Sequence, residues 1–310
     1  MPRFSVTIPA YKIKFLKETI KSVLDQSYEE FELIVVDDCS PENLKSVVDL
    51  FPDERIRYYR NEKNCGAVDV VDNWNICLKY CKGDYVICIG DDDRMLPCCL
   101  EEYSKLIDKY PDLNVYHAWT QIIDEKGNVT KVLEPRPEWE SVFAMTYYRW
   151  TKRRQFIGDF CYRTEHLREN GGYYKLPLAW MSDDITAARA AMEKGVANTL
   201  VPCFEYRISS VTISKSTSLT EIKLNASIKG HRWYQDFLSR VNTSELTETD
   251  KWFCNTALSI IKKTRERRML GEIVNDIKSK PLRFFVWLNR CSNFEISKRS
   301  YLKRVCQQIL

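Results

Sequence analysis

Residues 91–93 are three consecutive aspartates, Asp91, Asp92 and Asp93, reached through the apolar run Tyr85-Val86-Ile87-Cys88-Ile89 and then Gly90. Like charges packed side by side at the mouth of a buried strand repel one another, and a cation placed among them removes that cost. Hard divalent ions take oxygen ligands, and Mg²⁺ typically uses one or two carboxylates plus substrate phosphates. A metal bridging such a cluster to a diphosphate would hold a nucleotide and would stabilise a leaving phosphate as a Lewis acid. The plainer alternative is a solvated turn that caps a helix ahead of Pro97. A second acidic pair, Asp37-Asp38, closes another apolar run, Glu32-Leu33-Ile34-Val35-Val36.

The elements that must position these groups alternate over the first 120 residues. Phe4 to Ile8 reads as a strand stopped by Pro9, and Phe15 to Ser27 as a helix with Leu16, Ile20, Val23 and Leu24 on one face. The run ending at Val36 suits a parallel strand buried on both sides. Ser40 is placed to cap a helix beginning at Pro41. Ile56 to Tyr59 is a short strand; Val70, Trp74, Cys77, Leu78 and Cys81 then recur at helical spacing, with Gly83 expected to end that helix. Leu96, Leu100, Tyr103, Ile107 and Tyr110 mark a further helix face. This pattern predicts an α/β fold with a mostly parallel central sheet flanked by helices, in which ligands bind beyond the carboxyl ends of the strands. Both acidic clusters lie at such ends.

The chain has 310 residues, 44% of them apolar and 29% charged, as in ordinary globular proteins. The first residues enter a strand directly, so no signal peptide is expected, and no run is apolar enough to span a bilayer. The twelve cysteines include no C-x-x-C pair, and the three histidines, His117, His166 and His231, are far apart. Reduced cysteines in a cytosolic protein fit this better than a zinc site or a disulfide framework. The net charge of +4 is uneven: residues 261–310 carry 13 Lys and Arg against four Asp and Glu, an excess of nine, which leaves the rest five negative. An acidic body with a basic tail points to a polyanionic partner for the tail.

Five stretches in register carry a resemblance. FSVTIPAY (Phe4 to Tyr11), DQSYEEFELIVVDDCS (Asp25 to Ser40), Asn64-Cys65-Gly66, the strand start Gly83-Asp84-Tyr85 and the triple aspartate together resemble the nucleotide-binding half of family 2 glycosyltransferases, over roughly residues 1–215. The resemblance implies a GT-A fold, with a nucleotide-binding half at 1–120, an acceptor half at 121–215, and a helical, basic region at 216–310. It implies that Pro9, Ala10 and Tyr11 line the nucleoside pocket, that Asp38, and less directly Asp37, recognises the base, and that Asn64 and Gly66 sit close to the nucleotide. Asp92 is then the principal ligand of Mg²⁺ or Mn²⁺, with Asp91 near the sugar or ribose and Asp93 a supporting or alternative ligand. The pattern departs from many relatives at Gly90, where their first aspartate falls, and at Trp74, where an arginine precedes the asparagine matching Asn75.

Gly171-Gly172-Tyr173 followed by Asp183-Asp184 is similar to the family's glycine-rich stretch and its acidic pair opening a helix, here Ile185 to Glu193. Inverting transfer needs a carboxylate to take the acceptor proton. Arg189, six residues on, favours Asp183 as that base, with Asp184 as fallback; either could instead be a helix cap. A helix N-terminus is expected to keep such a carboxylate ionised. Tyr147 to Arg154 forms a basic aromatic patch for a diphosphate or acceptor sugar, or else a solvated loop. In the tail, residues 281–310 contain a basic, apolar helix suited to an anionic membrane surface or to docking on the body or a second subunit, giving a homodimer.

The expected activity is transfer of a sugar from a nucleoside-diphosphate sugar, with UDP favoured, to a hydroxyl of a glycan or lipid-linked acceptor in surface polysaccharide synthesis. The expected location is the cytoplasm, at the inner membrane face. Two rivals stand beside it: a GT-A-like binding or assembly protein without catalysis, and a sugar nucleotidyltransferase, which the glycine-free loop Pro9-Ala10-Tyr11-Lys12 disfavours. No recognisable nucleic-acid module is present, so no nucleic-acid partner is expected.

Overall fold

The computed structural model describes residues 2–209 and 217–309. Strands β1 (Phe4–Ala10), β2 (Phe31–Asp37), β3 (Ile56–Arg60) and β4 (Tyr85–Cys88) alternate with helices α1 (Leu16–Leu24), α2 (Leu44–Val48) and α3 (Val70–Tyr80). Then come β5 (Arg94–Met95), α4 (Cys99–Lys109), β6 (Val115–Ile123), β7 (Val129–Val132), β8 (Trp139–Glu140), α5 (Val142–Thr151), β9 (Phe160–Arg163), α6 (Thr164–Glu169), α7 (Ser182–Ala191) and β10 (Val196–Arg207). Four helices follow: α8 (Thr220–Ser239), α9 (Glu248–Ser279), α10 (Arg283–Arg290) and α11 (Lys298–Ile309).

The strands form one sheet in the order β3-β2-β1-β4-β9-β6-β10-β5, with β7 beside β6 and β8 beside β10. The α/β class with helices on both faces is as the sequence implied. Parallel pairing belongs to β3-β2-β1-β4 and to β6-β10, while β9 runs antiparallel between β4 and β6. Every residue of β2 is buried. Its alternate side chains serve opposite cores: Ile34 and Val36 face α3 and α7, whereas Leu33 and Val35 face α1, α2 and α4. Each such Val, Ile or Leu contributes about 1.5–3 kcal/mol relative to exposure, so the acidic residue at the strand end is held by the most buried part of the fold.

Two expected boundaries shift for physical reasons. Gly83 does not end a helix; α3 stops at Tyr80. A Cβ on Gly83 would lie 2.7 Å from the Phe4 carbonyl carbon and the Ser5 nitrogen, so glycine is needed for the close approach to β1. The Gly83 N–H there donates to Ser5 Oγ, which itself donates to Glu32. No helix begins at Pro41 either: α2 starts at Leu44, where the Asn43 side chain accepts the Ser46 N–H. Ser40 is committed to an earlier turn, its N–H donating to Asp37 Oδ1 and its hydroxyl to the Tyr11 carbonyl.

The expected 215/216 boundary lies outside the described residues. Beyond it, Ala226, Tyr234 and Leu238 of α8 and Cys254, Ala257 and Ile261 of α9 join the same core as Ile34 and Val36. The distal half of α9 packs instead with α10 and α11, around Ile273, Trp287 and Tyr301. With 32 residues, α9 spans about 48 Å and bridges the two cores. Replacing Gly83 with alanine should cost about 1–3 kcal/mol by forcing β1 and the β4 lead-in apart, read as a lowered midpoint in urea unfolding.

Candidate active site

The carboxyl ends of β1 and β2 meet in register, Ala10 opposite Asp37, and Asp37 lies opposite Arg60 of β3. Asp37 is fully buried with both oxygens engaged: Oδ1 accepts the Ser40 N–H at 2.7 Å, and Oδ2 accepts the Tyr58 hydroxyl at 2.6 Å and an Arg60 N–H. It anchors the turn. Asp38 reaches across to the loop holding Asn64 and Gly66, where its carboxylate accepts the Asn61 amide at 2.8 Å and the Cys65 N–H at 3.0 Å. Gly66 has φ +78°, a left-handed conformation that only glycine adopts cheaply, and it exposes this loop beside Asp38. Pro9, Ala10 and Tyr11 follow along β1 to its end, and the Tyr11 ring is 41% exposed.

The triple aspartate divides into three roles. Asp91 Oδ2 accepts the N–H groups of Tyr11 and Lys12, at 2.8 and 2.7 Å, so it ties the β1 loop to the acidic turn. Asp93, buried, accepts the Arg207 N–H through Oδ1 at 2.9 Å. Apart from its own N–H, the Asp92 carboxylate is offered no hydrogen bond by another described residue. A Cβ on Gly90 would lie 3.0 Å from Asp92 Oδ1 and 2.9 Å from Asp93 Oδ2, so both carboxylates converge on the space the glycine leaves open. Gly90, noted above as a departure, therefore has a steric reason. Burial first and the Asp91 charge second push Asp92 up to about 6, against Lys12 and Arg207. Burial, then Asp92, pushes Asp93 up as well. A divalent cation would relieve both. No three His, Cys, Asp or Glu side chains among the described residues form a ready cage. The arrangement fits an ion held by one or two carboxylates and completed by substrate phosphate.

Arg207 was not singled out from the sequence, where it is one arginine at the end of a strand. Its side chain is fully buried; Nε donates to the Asp92 carbonyl at 2.7 Å and a terminal N–H to Glu18 at 2.8 Å, while the guanidinium lies 4.3 Å over the Phe15 ring. The preceding residue, Tyr206, stacks on Phe156 at 3.6 Å between ring centres. It lines a cavity of about 590 Å³ whose wall also contains Trp74, Trp180, Asp183 and Asp184. The acidic turn and the second-half acidic pair are thus joined through the end of β10.

Leu178, Ala179 and Met181 all have positive φ (61°, 54° and 71°) in the segment leading into α7. Such conformations cost energy and persist where their surroundings fix them. Here the Leu178 N–H donates to the Val68 carbonyl, the Leu176 N–H to Ser182 Oγ, and the Trp180 indole to Ser227. Gly172, at φ +79°, leaves room for the Asn75 side chain, which brackets Tyr173 by accepting its N–H and donating to its carbonyl. Asn75 thereby links the two halves. Trp74 packs edge-on against Tyr173 and lines the cavity, so it serves core and site together.

Of the acidic pair, Asp184 is fully buried and clamped: Oδ1 accepts from Arg149 at 2.6 Å and Gln155 at 2.9 Å, and its carbonyl accepts the Tyr234 hydroxyl. Asp183 is partly open to the cavity, and among the described residues its carboxylate accepts the Asp184 N–H at 2.8 Å. Two expectations are corrected. Six residues along a helix turn a side chain well off the starting face, and Arg189 donates to the Asn170 carbonyl rather than facing the pair. The cation beside the pair is Arg149, from the basic aromatic patch, which splits: Arg153 pairs with Glu140 while Arg154 lines the cavity. Nor does the helix N-terminus keep Asp183 readily ionised. Burial, then the Asp184 charge, pushes it up to about 8, with Arg149 pulling the other way.

The model of the family described as "Glycosyl transferase family 2" matches residues 5–168. The chain is 27% identical to a candidate teichuronic acid biosynthesis glycosyltransferase, TuaG, of Bacillus subtilis, over 69% of this chain and 82% of that protein. It is 32% identical, over 42% of each chain, to the GalNAc(5)-diNAcBac-PP-undecaprenol beta-1,3-glucosyltransferase of Campylobacter jejuni. The matched region covers about half or less of the length of the first curated relatives, 22–47%. Among solved structures, S. aureus TarS in complex with UDP-GlcNAc aligns over 99% of this chain and 91% of its own, with TM-score 0.60 and 17% identity, a likeness of fold.

Truncating Arg149 to alanine leaves Asp184 buried without its cation and should destabilise the protein by about 3–5 kcal/mol. Asp183→Asn should behave oppositely. A carboxyl whose folded pKa lies above its unfolded value loses stability contribution as pH rises from ~4 to about 8, so the neutral amide should hold or raise the thermal midpoint at pH 8. Calorimetric melts of both variants across pH 5–9 check this pair.

Proposed function

Since this chain belongs to glycosyl transferase family 2, we propose that it is an inverting, metal-dependent enzyme that moves a sugar from UDP to a hydroxyl of a glycan or lipid-linked acceptor. One observation carries the reading: two carboxylates, Asp92 and Asp93, converge over Gly90 at the end of β4, and a third, Asp183, opens into the cavity that shares the end of β10 with them. The first pair suits a divalent ion and diphosphate; the third suits proton removal on the acceptor side.

Asp92 and Asp93 would hold Mg²⁺ or Mn²⁺, which would supply positive charge to offset the departing diphosphate. The chain's own residues do the rest. Asp38 and the Asn64–Gly66 loop hold the nucleoside against the exposed Tyr11 ring, and Asp91 fixes that loop to the acidic turn so that the ribose is oriented. Asp183 takes the acceptor proton as the hydroxyl attacks from the face opposite the leaving group, while Asp184 keeps the start of α7 in place. UDP is supported by the TarS complexes with UDP-GlcNAc and UDP, which share the fold. A glycan or lipid-linked acceptor is supported by the names of the B. subtilis and C. jejuni relatives.

The tail reading extends this to a membrane face. No helix among the described residues is long and apolar enough to cross a bilayer. On α10 and the residue before it, Trp287 is buried while Leu282 and Phe285 are 83% and 64% exposed, within the most basic stretch of the chain. That combination suits shallow contact with an anionic lipid surface.

Three outcomes are expected. Calorimetric titration should show UDP binding that requires Mn²⁺ and is lost in Asp92→Asn; metal-independent binding of equal strength in the variant would sink the metal assignment. With donor present, kcat/KM should rise with pH through about 8, because a base must be ionised to act; a flat profile would remove Asp183 from that role. Vesicles rich in phosphatidylglycerol should sediment the protein and neutral vesicles should not, with Leu282→Asp/Phe285→Asp abolishing the difference; equal sedimentation of the variant would end the membrane reading.

A further inference from the structure

The catalytic cavity holds more positive charge than its own carboxylates offset. Three arginines line it, Arg149, Arg154 and Arg268, beside Asp183, Asp184 and Glu272. Asp184 is taken by Arg149 at 2.6 Å, and Glu272 by Lys223 at 3.1 Å. Asp183 is held toward its neutral form by burial and by Asp184. Arg154 and Arg268 therefore remain, and among the described residues neither has a carboxylate within ion-pair distance.

Arg268 is the more telling of the two. It comes from α9, within the C-terminal helical region rather than from the sheet, and it is fixed by donating to the Arg149 carbonyl at 2.8 Å. This holds its guanidinium close to a second one. Burial, then the charge of Arg149, pulls it down to about 10. Leaving a partly buried cation beside a like charge is costly unless an anion arrives to pair with it. The tie to Arg149 leaves donors on the guanidinium for a ligand, and Arg154, exposed at the same cavity wall, supplies a second fork. Guanidinium forks match the oxygens of a phosphate group in geometry as well as charge.

We propose that Arg268 and Arg154 form an anion subsite that takes a phosphate group of the acceptor. The inference rests on the reading of Asp183 as the acceptor-side base, because these cations share the cavity of Asp183. The donor diphosphate is instead assigned to the acidic turn over Gly90. It gives the C-terminal helices a part in the reaction: α9 supplies a residue that selects phosphate-bearing acceptors and presents their hydroxyls to Asp183. The same chemistry could come from the donor diphosphate, and the experiment separates the two sources.

Glycerol 3-phosphate is titrated into the full chain, alone and again with UDP and Mn²⁺ at saturation, followed by calorimetry and by fluorescence of the cavity tryptophans. The expected result is saturable binding under both conditions and none for glycerol. Arg268→Gln and Arg154→Gln should each weaken it by about tenfold or more, on the scale of one lost charge-assisted pair, with UDP affinity unchanged. Binding equal in the variants, no saturable binding at millimolar concentration, or binding that UDP abolishes would overturn the proposal; the last would return the two arginines to the donor diphosphate. Arg154 is exposed, so its variant reads the subsite even if Arg268→Gln folds poorly. If UDP fails to bind while glycerol 3-phosphate still binds through both arginines, the donor reading fails and the anion subsite stands.

Discussion

The acidic turn of this protein depends on one buried guanidinium. Arg207 closes β10 by placing its N–H on Asp93, its Nε on the Asp92 carbonyl and a terminal N–H on Glu18 of α1, with further contacts to the carbonyls of Asp124 and Glu125. Three aspartates in a row would otherwise spread apart. Held this way, Asp91 is left to fix the β1 loop, and Asp92 and Asp93 are pressed together over a glycine. The same strand end carries Tyr206 into the cavity lined by Asp183 and Asp184. One residue thus sets the spacing between the proposed leaving group and the proposed base.

Charge is arranged by the same logic at both ends of the site. At the acidic turn, burial and mutual repulsion push the carboxylates upward, a cost that a bound cation would relieve. At α7, one carboxylate of a pair is locked by Arg149 and Gln155, and its field with burial pushes its neighbour upward. A base with a raised pKa holds the proton it accepts more firmly, which suits attack by a weakly acidic hydroxyl. In the third part of the site the imbalance is reversed, with two guanidiniums that have no carboxylate within ion-pair distance among the described residues.

Much of this was legible in the sequence. Strand-helix alternation, the two acidic clusters at strand ends and the acidic pair opening α7 are local patterns, and local patterns survive folding. What the sequence could not deliver were partners separated by long stretches of chain. Arg207 meets Glu18 and Asp93, Arg149 meets Asp184, and Arg268 reaches the cavity from a helix that sequence reasoning treated as an appendage. Arg189 illustrates this directly: its spacing was read as favouring Asp183 as the base, whereas helical rotation turns it to the Asn170 carbonyl and the cation beside the acidic pair comes from α5 as Arg149. The ionisation of Asp183 was misjudged for a related reason, since a helix N-terminus is visible in sequence and burial is not. Gly83 and Gly90 looked like a stop signal and a defect, and both prove to be close approaches that only three dimensions reveal.

The central claim is that Asp183 removes the acceptor proton in a single displacement at a sugar held by metal and diphosphate. The most direct test follows turnover of a UDP-sugar by proton NMR, reading the anomeric configuration of the first-formed product for the native chain and for Asp183→Asn. The account predicts inversion of configuration, and a variant that binds UDP normally but turns over about 10²–10⁴-fold more slowly. Retention of configuration, or undiminished turnover by Asp183→Asn, would contradict it.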